Sequence, residues 1–363
     1  MRAPYLLCPG LVAAGWDGEI VAIATEQNAN IEQAWGKVPV HKITGTSKRR
    51  QLFRLAQWVL RPQPGSVAIS WVWYWHCFAL VLAKILYRAP YVIVLDTYTH
   101  RSGQGFWAKL RESLRYGLIL RWADIILAET PAALESTRRY ASHAETLLVA
   151  PGLWLATLQQ FEANWQSSAP ILQREPAILF VGRFARQKRI HDLINAFASL
   201  TEQHPAWQLE LRGPVSEPLY YAEMEVLVNS LGLNKRITFL PSLSGEALYQ
   251  RYRTTAIYAL PSQGEGFPTT VLEAMYFGGA IVAGNSGYVA YQLDEGTCGL
   301  LHEPGDVEQL AQHLQCLMSS PTQCQELMTK AQKRMVQLFT WDAHFSGLEP
   351  KLRRLATASR REQ

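Results

Sequence analysis

Cysteine is scarce in this chain. The five residues, at positions 8, 77, 298, 316 and 324, form no C-x-x-C pair and leave one over. Neither a zinc site nor a secreted disulfide framework is supported, and a reducing cytoplasm fits best. No D-x-D triplet occurs, and no metal site is expected. G-x-G-x-x-G is absent where a first strand would meet a helix, which sets aside a dinucleotide oxidoreductase. Long apolar runs are missing too. The most hydrophobic stretch, Val67 to Ala83, contains Ser70 and His76 and is shorter than the roughly 20 residues of a membrane span. A buried strand and helix is expected there. At the N-terminus Pro4, Pro9 and Gly10 interrupt the apolar letters, and the segment is not read as a signal peptide. Net charge is a modest +5 with no recognisable nucleic-acid module, so nucleic acid is not an expected partner.

What is present fits a globular protein of two domains. At 363 residues and 48% hydrophobic content the chain has material for two cores, each in a domain of roughly 150 to 180 residues. Its cations are gathered: Lys48, Arg49, Arg50 and Arg54, then Lys109, Arg111, Arg115 and Arg121, then Lys351, Arg353 and Arg354. Such clustering suggests an anionic surface as partner.

From Ser66 the letters run VAISWVWYW, HCFALVLAKILYR, Pro90 as a breaker, and YVIVL, which reads as strand, helix, strand. A basic helix is expected over 105–122, an apolar strand over 124–128, a helix over 132–140 and then LLVAPG. The alternation predicts a parallel sheet. Residues 155–175 are polar, irregular and closed by Pro170 and Pro176, as in an interdomain linker. The pattern then restarts. AILFVGRF, WQLELRG, ITFLP, AIYALP and GAIVAG read as strands, with IHDLINAFASLTEQH and YAEMEVLVNSLG among the helices between them. Domains are therefore placed at 1–155 and 172–340, with a last helix over 341–363 crossing back to the first. The first 60 residues read least clearly: EIVAIAT and VPVHKI are candidate strands, and no full helix fits between Leu11 and Gly18.

The chemistry concentrates in AIYALPSQGEGFPTTVLEAMYFGGA, a strand, a glycine turn and a helix from about Thr269 to Gly278. Gly264 and Gly266 permit close backbone approach, and the amides around Thr269 and Thr270 would face a phosphate with help from the helix dipole. Glu265 precedes the helix and Glu273 lies about a turn inside it. One carboxylate can then reach a sugar and the other a ribose, each accepting from two hydroxyls. A helix-capping glutamate and a solvated one would leave the same letters. Upstream, VGRFARQK presents Arg183 and Lys188 where a strand ends. Two such cations suit a diphosphate, or are plain surface charges in a loop.

VGRF-x-x-x-K and EGF-x-x-x-x-x-E, in this order and at this spacing, resemble the retaining glycosyltransferases of family 4. The resemblance covers most of residues 67–345, with echoes in ADIILAETPAALEST, GNSGYVAYQLDEGTCGLLHEPGDVEQLAQHL and FTWD. It implies an α/β protein of GT-B fold, two Rossmann-like doubly wound domains facing each other across a cleft. It implies a hexosyltransferase-type reaction that uses a nucleoside-diphosphate sugar and needs no metal or other cofactor. By resemblance, Arg183 and Lys188 hold the donor diphosphate, and Gly266, Phe267, Thr269 and Thr270 form the phosphate-facing turn. Glu265 contacts the transferred sugar and Glu273 the ribose, while Arg212, Gly213, Leu240 and Pro241 flank the base.

The acceptor side departs from that family. Its strand often ends in a histidine near the sugar, whereas YVIVLDTYTHRSG puts Asp96 in that place and His100 four residues on. Either is a candidate acceptor-side catalytic group, and either suits a structural role. The family's first glycine-rich loop has only Gly10 and Gly15 as candidates here, and its proline-asparagine-glycine appears as Pro151-Gly152. Trp71, Trp73 and Trp75 share one face of a strand, open to sugar stacking or to core packing. Residues 46–61 and 105–122 mix cations with Phe, Trp and Leu, which suits an anionic bilayer as well as an ordinary amphipathic helix. The expectation is a glycan or lipid-linked acceptor at the cytoplasmic membrane face, in cell-surface polysaccharide or lipopolysaccharide synthesis. The alternatives are a nucleotide-sugar-binding pseudoenzyme and an epimerase of the same fold that needs no acceptor.

Overall fold

A computed structural model describes residues 11–12, 14–17, 20–23, 40–43, 48–61, 63–71, 77–95, 117–141, 143–149, 152–153, 155–166 and 174–362. The chain divides into two units, 1–154 with 340–363, and 155–339.

In the first unit β1 (Ile20–Ile23) and β2 (Val40–Ile43) pair in parallel. They are followed by α1 (Lys48–Val59), β3 (Ala68–Trp71), α2 (Cys77–Tyr87), β4 (Tyr91–Leu95), β5 (Ile125–Ala128), α3 (Pro131–Tyr140) and β6 (Glu145–Leu148). A second parallel sheet has the order β3-β4-β5-β6. The all-apolar letters of β4 are explained by burial on both faces, since successive side chains point opposite ways. Tyr91, Ile93 and Leu95 join Cys77, Leu80 and Val81 of α2, while Val92 and Val94 face the other core. Asp124 ties the unit together before β5, accepting from Lys84 Nζ at 2.6 Å and from the Tyr91 amide at 3.0 Å. Thr130 caps α3 by accepting from the Ala133 amide at 3.1 Å, with Pro131 at the first helical position.

The second unit opens with α4 (Leu155–Gln166) and continues β7 (Glu175–Val181), α5 (Ile190–Ala198), β8 (Gln208–Arg212), α6 (Pro218–Ser230) and β9 (Ile237–Leu240). Next come α7 (Gly245–Thr254), β10 (Thr255–Leu260), α8 (Thr269–Phe277), β11 (Ala280–Gly284), α9 (Val289–Gln292), β12 (Leu300–His302), α10 (Val307–Ser319) and α11 (Pro321–Leu338). All six strands are parallel in the order β12-β11-β10-β7-β8-β9. From β7 the chain winds to one side through β8 and β9, then returns beside β7 with β10 and winds to the other.

The last helix, α12 (Trp341–Glu362), belongs to the first unit. The Trp341 amide donates to the Leu153 carbonyl at 3.0 Å, and Trp341, Leu348 and Leu352 cover Val92, Val94, Ile125 and Leu127. They recur seven and four residues apart, one stripe of the helix.

Three sequence readings are corrected. Residues 155–166 are a helix of the second unit and not an irregular linker, so that unit begins at Leu155 instead of 172. Buried Leu158, the Phe161 ring 5.1 Å from Tyr249, and Glu162, accepting from Tyr276 Oη at 3.0 Å, hold this polar helix. The helix read from IHDLINAFASLTEQH stops at Ala198. The last cation cluster is partly consumed internally: Lys351 pairs with Glu145, and Arg353 pairs with Glu349, donates to the Ala14 carbonyl at 2.7 Å and stacks on Trp16. Trp73, Trp75, Gly10, Pro151 and the basic segment 105–116 lie outside the described residues. No described helix is long and apolar enough to cross a membrane.

Candidate active site

The winding of the second sheet reverses between β7 and β10, and the loops leaving these two strands flank the resulting crevice. This is where doubly wound sheets bind ligands. Residues 182–189 leave β7 and residues 261–268 leave β10, so topology places both sequence motifs at one spot.

Lys188 Nζ crosses between the loops to Glu265 Oε1, with only 13% and 9% of the two side chains exposed. Gln187 Nε2 donates to the Gly264 carbonyl, and the Gln263 amide donates to the Gln187 carbonyl at 3.1 Å. Arg183 differs. It is exposed and, among the described residues, has no hydrogen-bond or ion-pair partner. Thr269 opens α8, and Pro268 before it supplies no side-chain cap. The leading N–H groups of a helix have no acceptor within it, so this end presents partial positive charge to the 264–268 loop. Gly266 and Phe267 stand in that loop, with Phe267 edge-on to Phe339 at 5.7 Å and the Gly266 carbonyl accepting from the Tyr288 amide at 3.2 Å.

Glu273 is buried at 5% exposure and accepts from Tyr252 Oη of α7 at 3.3 Å. A carboxylate at such depth has to be hydrogen-bonded. Tyr252 and α8 are held in turn by Arg174, whose guanidinium donates to the Tyr252 and Thr255 carbonyls at 3.0 Å and to the Phe277 carbonyl at 3.4 Å. Its charge sits at the carbonyl ends of α7 and α8, where the helix dipoles favour a cation.

The four residues expected around a base gather at the ends of β8 and β9, beside the end of β7. The Gly182 amide donates to the Arg212 carbonyl at 2.9 Å, and the Gly213 amide donates to the Leu240 carbonyl at 3.2 Å. Gly213 has a second constraint, since a Cβ there would stand 1.7 Å from the Gly182 carbonyl oxygen. The Arg212 side chain is engaged, donating to Glu210 and to the Pro241 carbonyl at 3.4 Å, and Glu210 also accepts from Arg251 at 2.9 Å. Asp96 and His100 lie outside the described residues. Among those described, no cluster of three His, Cys, Asp or Glu side chains could hold a metal ion.

Sequence reasoning missed Gly287, Gln187, Arg189, Tyr252 and Arg174. Gly287 adopts φ 60°, and a Cβ there would lie 1.7 Å from the Glu265 carbonyl oxygen. It braces the backbone of the glutamate loop from the turn after β11, and N-S-G was its only written signal. Tyr252 and Arg174 left none, because their partners are carbonyls and a carboxylate far along the chain.

The family described as glycosyl transferases group 1 matches residues 162–334, and the glycosyl transferase 4-like domain family matches residues 2–152. Residues 162–334 belong to the glycosyl transferases group 1 family. A curated D-inositol 3-phosphate glycosyltransferase of Rhodococcus opacus is 29% identical to this chain over 233 residues, 62% of the chain and 52% of the relative. The chain spans about half the length of such relatives. Sucrose-phosphate synthase from Thermosynechococcus elongatus superposes with TM-score 0.70 at 23% identity, covering 96% of this chain and 91% of that one. HepE of Anabaena, solved with UDP-glucose, gives 0.71 at 18% identity, covering 97% and 96%. These likenesses establish the fold of the chain as GT-B, with two Rossmann-like units.

Proposed function

We propose that this chain is a retaining glycosyltransferase that moves a hexosyl group from a nucleoside-diphosphate sugar to a glycan or lipid-linked acceptor without a metal. The observation that carries this reading is the Lys188–Glu265 pair at the switch point, beside the N-terminus of α8 and the exposed Arg183. When the bond from sugar C1 to the β-phosphate oxygen breaks, its electron pair goes to that oxygen and negative charge grows on the diphosphate. Lys188 and the leading amides of α8 are fixed donors for that charge, with the Arg183 guanidinium beside them, and preorganised donors are the main source of rate in such sites. The acceptor hydroxyl oxygen bonds to C1 from the side the leaving group quits, and its proton passes to the departing oxygen. This route keeps the anomeric configuration and uses no protein nucleophile. As the diphosphate takes up the Lys188 ammonium, Glu265 is released to accept from sugar hydroxyls, and Glu273, aligned by Tyr252, accepts from the ribose.

HepE was solved with UDP and with UDP-glucose, so uridine diphosphate sugars are the first donors to screen. Thermal-shift measurement across a nucleotide-sugar panel tests the reading: a true donor raises the melting temperature of the wild type and not of Arg183→Ala. Equal stabilisation of both proteins would sink the diphosphate assignment. Donor binding with no turnover on any acceptor would favour a pseudoenzyme.

For the acceptor, the first unit leaves Phe53, Trp58, Leu82, Ile85, Leu86 and Trp122 exposed. The helices bearing them, including helical residues 117–122, contain cations and no acidic residue. Such faces fit an anionic bilayer at the cytoplasmic membrane face, where a lipid-linked acceptor for polysaccharide or lipopolysaccharide synthesis would lie. Flotation with anionic vesicles at low salt should carry the wild type upward and leave Ile85→Glu/Leu86→Glu behind. A wild type that stays at the bottom excludes the bilayer.

A further inference from the structure

Arg189 ends the lysine loop in the left-handed conformation, φ 49° and ψ 39°, which side chains other than glycine seldom adopt. Conformations of this kind persist where the surroundings over-determine them, and here the side chain is what the surroundings hold. Arg189 Nε donates to Asp192 Oδ2 at 2.5 Å, and Nη1 donates to Gln263 Oε1 at 3.1 Å. Its Nη2 rests over Gly305, within 3.0 Å of where a Cβ would stand. One guanidinium therefore joins the loop after β7 to α5, to the loop after β10 and to the turn after β12.

Each contact leads back to the donor loops. Gln263 stands two residues before Glu265, and its amide already donates to the Gln187 carbonyl at 3.1 Å. Asp192 is 3% exposed and also faces His191 Nε2 at 3.2 Å. His191 Nδ1 in turn meets Tyr220 Oη at 2.8 Å, so the carboxylate is fixed from a second side. A buried carboxylate with two fixed cationic or ring neighbours is a rigid anchor, and a charged fork is a directional link to it.

We propose that Arg189 is a positioning residue: anchored on Asp192, it holds Gln263 and so keeps the Glu265 loop aligned with Lys188. The inference rests on the donor-site reading above, which it deepens by naming what preorganises the site. Glycine suits the backbone of Arg189, so Arg189→Gly cuts the side-chain links to Gln263 and Asp192 without adding backbone strain.

The experiment uses the full chain, uridine diphosphate as probe, and hydrogen exchange of residues 261–268 measured without ligand. Arg189→Gly should melt within a few degrees of the wild type, exchange faster at 261–268, and bind uridine diphosphate about tenfold more weakly, the loss expected for one charged hydrogen bond. Asp192→Asn should act in the same direction, and the double variant should be no worse than the poorer single one, because both cut one link. A folded Arg189→Gly with wild-type exchange overturns the proposal. So does weaker binding with unchanged exchange, since Arg189 would then touch the nucleotide itself. Should the wild type bind no uridine diphosphate, the uridine donor fails while exchange at 261–268 still decides the link. If Arg189→Gly does not fold, Arg189→Lys, which keeps the charge and loses the fork, is judged by the same readings.

Discussion

The two units are built to one plan, a parallel sheet wrapped by helices, yet they close their sheets by different means. The second unit is closed from within its own continuous segment: Gly213 sits on Gly182, Gly287 on Glu265, and Arg174 clamps the ends of α7 and α8. The first unit covers one face of its sheet with Leu348 and Leu352 of α12, more than 200 residues beyond the β5 side chains they meet. Its own helices instead leave Leu82, Ile85 and Leu86 bare. A unit that seals itself can hold two charged side chains in register, and a unit that borrows its cover keeps a helix face free for another surface.

Several substitutions and conditions would sharpen this contrast or break it. The largest effect is expected from Lys188→Ala, which should lower kcat/KM for the donor by about 10² to 10³, as loss of a transition-state donor does. Lys351→Ala, another lysine paired with a glutamate but in the first unit, should leave the rate within about twofold, as expected of an exposed pair. Initial rates decide, and equal losses would dissolve the contrast. Next is Leu348→Ala, which empties a fully buried position under the first sheet and should cost about 2–5 kcal/mol in denaturant unfolding. Uridine diphosphate binding should survive at denaturant concentrations that unfold the first unit; its parallel loss would show that the second unit does not stand alone.

Gly287→Ala should cost about 1–3 kcal/mol through its positive φ and the clash with the Glu265 carbonyl. The loss should appear in calorimetry together with weakened nucleotide binding, and a neutral result would mean the turn after β11 yields freely. The smallest effect concerns acid. Burial holds His302 of the second unit and His344 of the first below the ordinary imidazole range. The unfolded chain then binds protons more readily, so this contribution is present above about pH 6.5 and is lost as pH falls through the depressed folded values. His302→Gln should flatten the acid slope of the second unit and His344→Gln that of the first; slopes that stay unchanged would mean other groups carry it.

Much of the fold was legible because burial on two faces writes itself as runs such as YVIVL and AIVAG, bounded by Pro90 or glycine. The donor motifs were legible because a strand, a glycine turn and a helix make an anion site from consecutive residues. Helix α4 was not, since its described anchors Leu158, Phe161 and Glu162 sit among polar letters and partners lie on α7 and α8. Neither was the commitment of Arg212 to Glu210, because a cation at a strand end looks the same whether it waits for a ligand or already has a partner.

By itself the sequence determined the alternation of strands and helices, the two-unit division to within a linker, and the family, because these follow from local periodicity and from motifs of adjacent residues. The tertiary structure alone decided that Lys188 meets Glu265, that Tyr252 secures Glu273 and that Arg189 spans three loops. Those outcomes depend on how strand ends from distant parts of the chain converge, and parallel winding sets that convergence only once the whole sheet is formed.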